Sequence, residues 1–246
     1  MNRVAIVTGA GTGVGRASSV KLSEAGYTVI LIGRRRDKLE ETKTVCKAHA
    51  VVLPMDVSRE RDVKKCFEMV EETFSRVDVL FNNAGTFLSS KTIDEINFNE
   101  WKEVIEVNLN GMFLFSKYAF ALMKNQSPRG GRIINNGSVS STAPRPGSIA
   151  YTATKHAVSG MTKSLSLDGR PFSIVCSQID IVNADTPMTK GIQTGIVQAD
   201  GSIKKEPTFD PKHVADAVLQ IVSLPLDTNI FNMTIMASNM PYIGRG

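Results

Sequence analysis

Residues 4–15, VAIVTGAGTGVG, join a short apolar run to a turn that is rich in glycine. The run 4–7 has the β-branched, apolar character of a buried strand, and helical periodicity begins at Gly13. Glycines let the main chain turn tightly and approach a ligand, and the N-terminus of the following helix attracts an anion. The stretch therefore predicts the pyrophosphate-binding turn of a dinucleotide-binding fold.

A glycine-rich turn alone is weak evidence for such a site, because similar turns join strands to helices where no ligand binds. A P-loop is the competing interpretation of the turn. It requires Gly-Lys-Ser/Thr at a fixed spacing, and no such sequence follows here. A nucleoside triphosphate site is therefore disfavoured.

The rest of the chain alternates short β-branched runs with longer segments of helical periodicity. The predicted strands after the first are 28–32, 51–54, 77–81, 132–135, 173–178 and 230–236. The predicted helices are 13–25, 36–47, 60–75, 99–124, 148–167 and 212–223. This alternation is typical of an α/β fold of the Rossmann type, a doubly wound parallel sheet with helices on both faces. We expect a single domain over residues 1–246, with a substrate loop at 183–211.

Composition and charge narrow the classes of protein that fit the sequence. The 246 residues are 42% hydrophobic, enough for one sizeable core, but no uninterrupted apolar segment reaches the roughly 20 residues of a transmembrane helix. The net charge of +5 comes from scattered basic residues, which form no stripe for nucleic acid. The cysteines lack CxxC spacing and the histidines lack an HExxH motif, so we expect no metal and a reducing, cytoplasmic location.

Further motifs follow the glycine turn in a definite order. Asp56-Val57 ends the third predicted strand, and NNAG at 82–85 ends the fourth. Asn108 lies in the longest predicted helix, and Ser138 precedes the YTATK motif at 151–155 by 13 residues. In this order and spacing the motifs resemble those of the short-chain dehydrogenase/reductase family, and the match covers nearly the whole chain.

The resemblance implies which residues hold a nicotinamide dinucleotide. They are Gly9, Thr12, Gly13, Val14 and Gly15 in the turn, Asp56, Val57, Asn83, Ala84 and Gly85 after two strands, and Tyr151, Lys155 and Thr186. Thr186 matches the family's threonine at the nicotinamide carboxamide. Just before it the chain departs from the family pattern, because Asp180-Ile181 stands where Pro-Gly is usual and the spacing is one residue longer.

The resemblance also implies a catalytic set of Ser138, Tyr151, Lys155 and Asn108. Residues four apart share one face of a helix, so Lys155 lies beside Tyr151. A phenol is a poor base near neutral pH, and we expect an adjacent ammonium and an oxidised nicotinamide to favour the phenolate. Ser138 would hydrogen-bond the substrate oxygen, and Asn108 would position a water in a proton relay from Lys155. The chain is thus expected to be an NAD(P)-dependent oxidoreductase that moves a hydride between the cofactor and an alcohol or carbonyl compound.

Two other functions are compatible with the same fold. A dinucleotide-sensing regulator would keep the cleft without turnover, and an isomerase or dehydratase would use the fold for different chemistry. The intact Ser138, Tyr151 and Lys155 favour the oxidoreductase.

The sequence predicts a preference for NADP(H) over NAD(H). Arg34, Arg35 and Arg36 follow the second strand, where NAD-binding relatives of the fold carry a carboxylate for the ribose 2′-hydroxyl. The alternative is that these arginines lie in solvent, partly balanced by acidic residues of the next helix. Thr12 also differs from the basic residue that many NADP-preferring relatives place in the turn.

The remaining expectations concern partners. The predicted helix 99–124 is more apolar than one sheet-facing stripe requires, and the helix 148–167 has small residues at Ala153, Ala157 and Gly160. Both features, with the family resemblance, predict a homodimer or homotetramer. Arg145 or Lys190 could bind an anionic substrate, but no pattern identifies the small-molecule substrate.

Overall fold

The computed structural model describes residues 3–88 and 90–242. Residues 1–2, 89 and 243–246 of the predicted domain lie outside this description. The strands are β1 (Val4–Thr8), β2 (Thr28–Gly33), β3 (Ala50–Pro54), β4 (Val79–Asn82), β5 (Gly131–Asn136), β6 (Ile174–Val182), β7 (Ile196–Val197), β8 (Ile203–Lys204) and β9 (Asn232–Met236). The α-helices are α1 (Gly13–Glu24), α2 (Arg36–Val45), α3 (Glu60–Phe74), α4 (Phe98–Ile105), α5 (Gly111–Asn125), α6 (Ile149–Gly169), α7 (Lys190–Thr194) and α8 (Lys212–Ser223).

The main sheet of the described residues is parallel and has the strand order β3-β2-β1-β4-β5-β6-β9. From β1 the chain adds β2 and then β3 on one side. It then returns to place β4 on the other side of β1. Loops after β1 and β4 diverge at this point, so a crevice opens at the carboxyl ends of the two strands. The predicted doubly wound sheet is confirmed.

Helices cover both faces of the sheet because the strands are apolar on both faces. Ala5 and Val7 belong to a core cluster with α1, α2 and α8, whereas Val4 and Ile6 belong to a second cluster with α3 and α5. All four side chains are fully buried, and their alternation follows the two-residue period of a strand. The two core layers therefore fix which strand ends face the crevice.

The predicted helix 99–124 differs from the structure at its centre. A π-helical turn, Glu106–Asn110, separates α4 from α5. Such a turn carries one more residue than an α-helical turn, which changes the direction of the side chains on it. The single regular helix predicted from periodicity is therefore interrupted at its centre, because the packing of residues 106–110 requires a wider turn than the pattern indicates.

The segment 183–211 has more structure than an irregular loop. It contains a 3₁₀ turn (Pro187–Thr189), the helix α7 and the short antiparallel hairpin of β7 and β8. It leaves the end of β6 and returns to α8, so it lies over the carboxyl edge of the sheet. In the described part of the chain, no helix is both long and apolar enough to cross a membrane.

Candidate active site

The glycine turn forms a backbone cradle at the start of α1. Gly9 and Gly13 have φ values of +68° and +52°, a region that residues with a Cβ rarely adopt. Among the described residues no side-chain cap satisfies the first N–H groups of α1, since Thr12 makes no such bond. These groups and the positive end of the helix dipole fit the pyrophosphate of a dinucleotide.

Gly15 has a different role from its neighbours in the turn. A Cβ on Gly15 would clash with the carbonyl oxygen of Gly9 and with the side chain of Asn83. Gly15 is buried under the turn and is absent from the described lining of the crevice. Gly15 therefore lets the turn pack closely against the end of β4, and its expected contact with the cofactor stays a prediction.

Thr8 joins the glycine turn to the end of β4. Its hydroxyl oxygen accepts hydrogen bonds from the backbone N–H groups of Asn83 and Ala84, both at 2.9 Å. The Asn83 side chain donates to the Thr8 carbonyl oxygen at 3.0 Å and accepts from Asn136 at 2.9 Å. These bonds align the ends of β1, β4 and β5 along one crevice.

The crevice has two adjoining parts that bring most of the predicted cofactor residues together. One part is lined by Gly9, Thr12, Gly13, Val14, Asn83, Ala84, Gly85, Tyr151 and Thr186. The other part is lined by Gly9, Thr12, Arg34, Arg35, Asp56, Val57, Ala84 and Gly85. The first part reaches Tyr151 and the second ends at the arginines, so a dinucleotide would lie with its nicotinamide toward Tyr151.

The three arginines after β2 divide into two groups. Arg34 and Arg35 are exposed at the crevice, and in the described residues neither lies within ion-pair distance of a carboxylate. Arg36 instead pairs with Glu40 at 3.5 Å. Lys38, which the sequence analysis missed, also lines this end and packs its Cβ over Gly11. Its position one helical turn beyond the arginines is the only sequence signal for it.

Asp56 supplies a carboxylate at the same end of the crevice. It accepts hydrogen bonds from the Ser58 N–H at 3.0 Å and from the Ser58 hydroxyl at 2.8 Å. Burial raises the pKa of Asp56, but the Ser58 bonds and the charges of Arg34 and Arg59 outweigh it and hold the pKa below its usual value. Asp56 is therefore an ionised acceptor beside Arg34.

Lys155 is buried next to Tyr151 on α6. Its Nζ donates to the Asn136 carbonyl oxygen at 2.6 Å and lies 5.4 Å from the centroid of the Tyr151 ring. Burial lowers the pKa of Lys155 to about 8, although the charge of Asp180 opposes this shift. Asn136 was not predicted as a site residue, because a carbonyl acceptor leaves no mark in the sequence.

Tyr151 meets Ser138 at the inner end of the crevice. Burial raises the pKa of the Tyr151 phenol, a hydrogen bond with Ser138 lowers it, and the charge of Asp180 raises it. The net effect of the protein groups is a raised pKa, and the expectation that the ammonium and an oxidised nicotinamide together favour the phenolate stays a prediction. The protein alone therefore keeps Tyr151 as a phenol that can donate its proton.

Asn108 is fixed by the π-helical turn. Its Oδ1 accepts from the Thr86 N–H at 2.7 Å, and its Nδ2 donates to the Thr86 carbonyl oxygen at 2.9 Å. The same Nδ2 is 3.4 Å from the hydroxyl of Thr154, the residue before Lys155. Asn108 thus holds the loop after β4 against α6, and its expected role in a water relay stays a prediction.

A second, mostly apolar pocket adjoins Ser138 and Tyr151. Its apolar lining is Phe87, Val139, Pro146, Ile181, Val182, Met188, Ile192 and Ile196. Phe87 meets the Tyr151 ring edge to face, with centroids 5.4 Å apart. Segment 183–211 contributes Met188, Ile192 and Ile196 to this lining, and its expected contact with the substrate stays a prediction.

The charge of Arg145 in this pocket is already matched. Its guanidinium makes two hydrogen bonds to Glu206, at 2.8 and 2.6 Å, and the Glu206 side chain is 1% exposed. Asn183 and Gln198 also donate to Glu206, at 2.8 and 3.0 Å. This network ties segment 183–211 to the loop after β5 and leaves little free charge in the pocket.

The described residues contain no group of three or more His, Cys, Asp or Glu side chains that could hold a metal ion.

Comparison with known proteins agrees with this geometry. Residues 3–196 match the family model for short chain dehydrogenases. A 3beta-hydroxysteroid dehydrogenase of Mediterraneibacter gnavus is 35% identical over 191 residues, which cover 76% of this chain and 68% of that protein. An alcohol dehydrogenase of Thermococcus sibiricus with bound 5-hydroxy-NADP is 25% identical, with a TM-score of 0.81 and 96% coverage of both chains. A 3-ketoacyl-(acyl-carrier-protein) reductase of Brucella melitensis with NADH shares the fold, with a TM-score of 0.84, 24% identity and coverage of 95% of this chain and 96% of that one.

Buried Lys155 should make the folded chain less stable at neutral pH than a chain without this charge. Its folded pKa lies below its unfolded value, so the unfolded state binds more protons between pH 8 and 10 and stability rises with pH there. Replacing Lys155 by Met should raise the free energy of unfolding by about 1–2 kcal/mol at pH 7, and this gain should be lost by pH 10.

Urea unfolding at both pH values measures the difference. Lys163→Met, on an exposed position of the same helix, is the control and should change stability little at either pH. A gain for Lys155→Met that is equal at pH 7 and pH 10 would contradict the lowered pKa.

Proposed function

The chain belongs to the short-chain dehydrogenase family and is an NAD(P)-dependent oxidoreductase of alcohols and carbonyl compounds, and we propose that Tyr151 exchanges the proton with the substrate oxygen. One observation carries this assignment. The Tyr151 phenol meets Ser138 where the dinucleotide crevice joins the apolar pocket, with the buried ammonium of Lys155 beside it.

Each residue of this group has a definite task. Ser138 and Tyr151 hydrogen-bond the substrate oxygen and hold it at the inner end of the crevice. Tyr151 donates its proton to that oxygen in reduction and takes it back in oxidation. Lys155, fixed by the Asn136 carbonyl, stabilises the phenolate that remains after donation. When bound, the nicotinamide ring supplies or accepts the hydride.

The substrate class follows from the pocket lining. The wall is largely apolar, and the cation nearest to it, Arg145, is neutralised by buried Glu206. An anionic substrate would be desolvated there without a free partner, which is costly. We therefore infer an uncharged, mainly apolar ketone or secondary alcohol, a class that includes the hydroxysteroid named for the relative from Mediterraneibacter gnavus.

The cofactor crevice supports NADP(H) over NAD(H). Arg34 and Arg35 are the free cations at the end of the crevice, and a 2′-phosphate would give them an ionic partner. Asp56 is the nearby carboxylate, and Ser58 holds its Oδ1 with two hydrogen bonds at the loop after β3. This arrangement favours phosphate recognition rather than a carboxylate contact to the 2′-hydroxyl.

We also propose a homo-oligomer that buries part of α5 and α6. Most apolar side chains of α5 pack inside the subunit, but Phe113 is 53% exposed. On α6, Ile149 and Leu167 are exposed, and there is open space beside Gly160. A second copy of the chain would cover these side chains. The cytoplasmic location stays a prediction from the sequence.

Oxidation of reduced cofactor in the presence of candidate carbonyl compounds tests the proposed reaction. Uncharged ketones of mainly apolar character should give kcat/KM values at least about 100-fold above those of keto acids of similar size. On the best substrate, Tyr151→Phe should lower kcat by about 100-fold or more, because the ring stays but the transferable proton is lost. Cofactor affinity should remain close to that of the unaltered protein.

Tyr118→Phe is the matched control, since Tyr118 lies on α5, where its hydroxyl contacts Glu60 of α3 outside the crevice. Near-normal turnover in Tyr151→Phe would refute the mechanism. Faster turnover of keto acids than of uncharged ketones would refute the substrate class.

Fluorescence titration with NADPH and NADH tests the cofactor preference without any substrate. NADPH should bind more tightly, and Arg34→Ala or Arg35→Ala should weaken NADPH binding by about 10-fold while changing NADH binding little. Arg36→Ala is the control, because Arg36 pairs with Glu40 away from the crevice. Equal losses of NADPH and NADH affinity in the Arg34 and Arg35 variants would contradict a 2′-phosphate site at this end of the crevice.

Light scattering at micromolar concentration should give a mass of at least two chains. Phe113→Glu should shift the distribution toward the monomer, because a carboxylate at the contact would be buried without a partner. Leu226→Glu, at an exposed position outside α5 and α6, should leave the mass unchanged. A monomer for the unaltered protein would contradict the assembly.

A further inference from the structure

A buried carboxylate lies beneath the loop after β5 that carries Gly137 and Ser138. Asp180, on β6, is 7% exposed. Its Oδ1 accepts a hydrogen bond from the Gln178 side chain at 2.8 Å, and its Oδ2 accepts one from the Asn232 side chain at 2.8 Å. Both partners are neutral amides, and no described cation lies within ion-pair distance of this carboxylate. Its negative charge is therefore uncompensated by a direct contact.

The carboxylate is close to the backbone that carries Ser138. Its Oδ1 stands in the space that a Cβ on Gly137 would need, so Gly137 and Asp180 pack directly together. Only glycine permits this approach at the residue before Ser138. The position falls in the stretch where the sequence departs from the family pattern.

A chain of hydrogen bonds links the same group to the turn of α6 that carries Lys155. Gln178 donates to Asp180 and also to the Ser159 hydroxyl, the latter at 3.1 Å. The Ser159 hydroxyl in turn donates to the Lys155 carbonyl oxygen at 3.3 Å. Asp180 thus has a fixed position relative to both Ser138 and Lys155.

Few other charges act on the catalytic pair. Besides Lys155, the polar and charged groups that act on Tyr151 are Ser138 from the loop after β5, Asp180 from β6 and Arg145 from the loop before α6. Asp180 is the charged group that acts on Lys155. Arg145 lowers the pKa of Tyr151, and its guanidinium is paired with Glu206. Asp180 raises the pKa of Tyr151 and of Lys155, as a nearby negative charge must.

We propose that Asp180 is a positioning residue: its buried carboxylate, packed against Gly137 and linked through Gln178 and Ser159 to the turn that carries Lys155, sets the electrostatic environment in which Tyr151 donates its proton during carbonyl reduction. In that direction the Tyr151 O–H bond breaks and its proton bonds to the carbonyl oxygen, while the carbonyl carbon takes the hydride and a phenolate remains. The protonated pair is the form that begins this step. The inference rests on the proposed role of Tyr151, and its test separates the two.

Asp180→Asn tests the charge while keeping the shape of the side chain. In the cofactor-free protein, NMR of lysine labelled with ¹³C at Cε should show Lys155 titrating about 1 pH unit lower than in the unaltered protein. The Lys155 signal is assigned by its loss in Lys155→Met. The alkaline limb of the pH profile of kcat/KM for ketone reduction should move to lower pH by a similar amount.

Asn232→Ala is the matched control, because it removes a hydrogen bond to the carboxylate but leaves the charge in place. It should lower thermal stability with little change in the Lys155 midpoint. If Asp180→Asn does not fold, Asp180→Ser removes the same charge with a smaller side chain that can still accept from Gln178.

An unchanged Lys155 midpoint in a folded variant without the Asp180 charge overturns the inference. A midpoint that moves equally in Asn232→Ala also overturns it, because the cause would then be packing rather than charge. Activity that survives in Tyr151→Phe would instead refute the proposed function. In that case the Lys155 titration midpoint in the Asp180 variant still tests the effect of Asp180.

Discussion

The hydroxyl of Thr8 holds together the two strand ends on which the site depends. It accepts hydrogen bonds from two consecutive N–H groups, those of Asn83 and Ala84, at the point where the strand order reverses. Without this acceptor, two partly buried backbone donors at the end of β4 would lose their partner. The glycine turn, the loop after β4 and, through Asn136, the end of β5 would no longer share one crevice.

Beyond this junction, the site is shaped by the burial of polar groups. Lys155, Tyr151 and Asp180 lie in an environment where charge is costly, so each influences the protonation of its neighbours more strongly than it would in water. The chain bears a stability cost at Lys155 that a packing residue would avoid. Perturbed groups of this kind gather at functional sites because a proton must be held there and then released.

Charge is distributed differently at the two ends of the crevice. At the adenosine end, Arg34 and Arg35 remain open to an anionic ligand. At the substrate end, Arg145 is closed off by Glu206, whose position in segment 183–211 fixes the pocket wall. The sequence alone does not distinguish these two uses of charge. The same residue type can bind a ligand at one end of the crevice and hold the pocket wall in place at the other.

The sequence by itself determined the parallel sheet, the glycine turn and the positions of Ser138, Tyr151 and Lys155, because these depend on residue periods and spacings along a few turns of chain. The tertiary structure decided what burial and distant partners control. Asn108 turned toward Thr86 through a π-helical turn, and Gly15 became a packing residue. Arg145 found its partner 61 residues away, and Asp180 came to lie under Gly137. Such contacts join residues that are remote in sequence, so no local pattern records them.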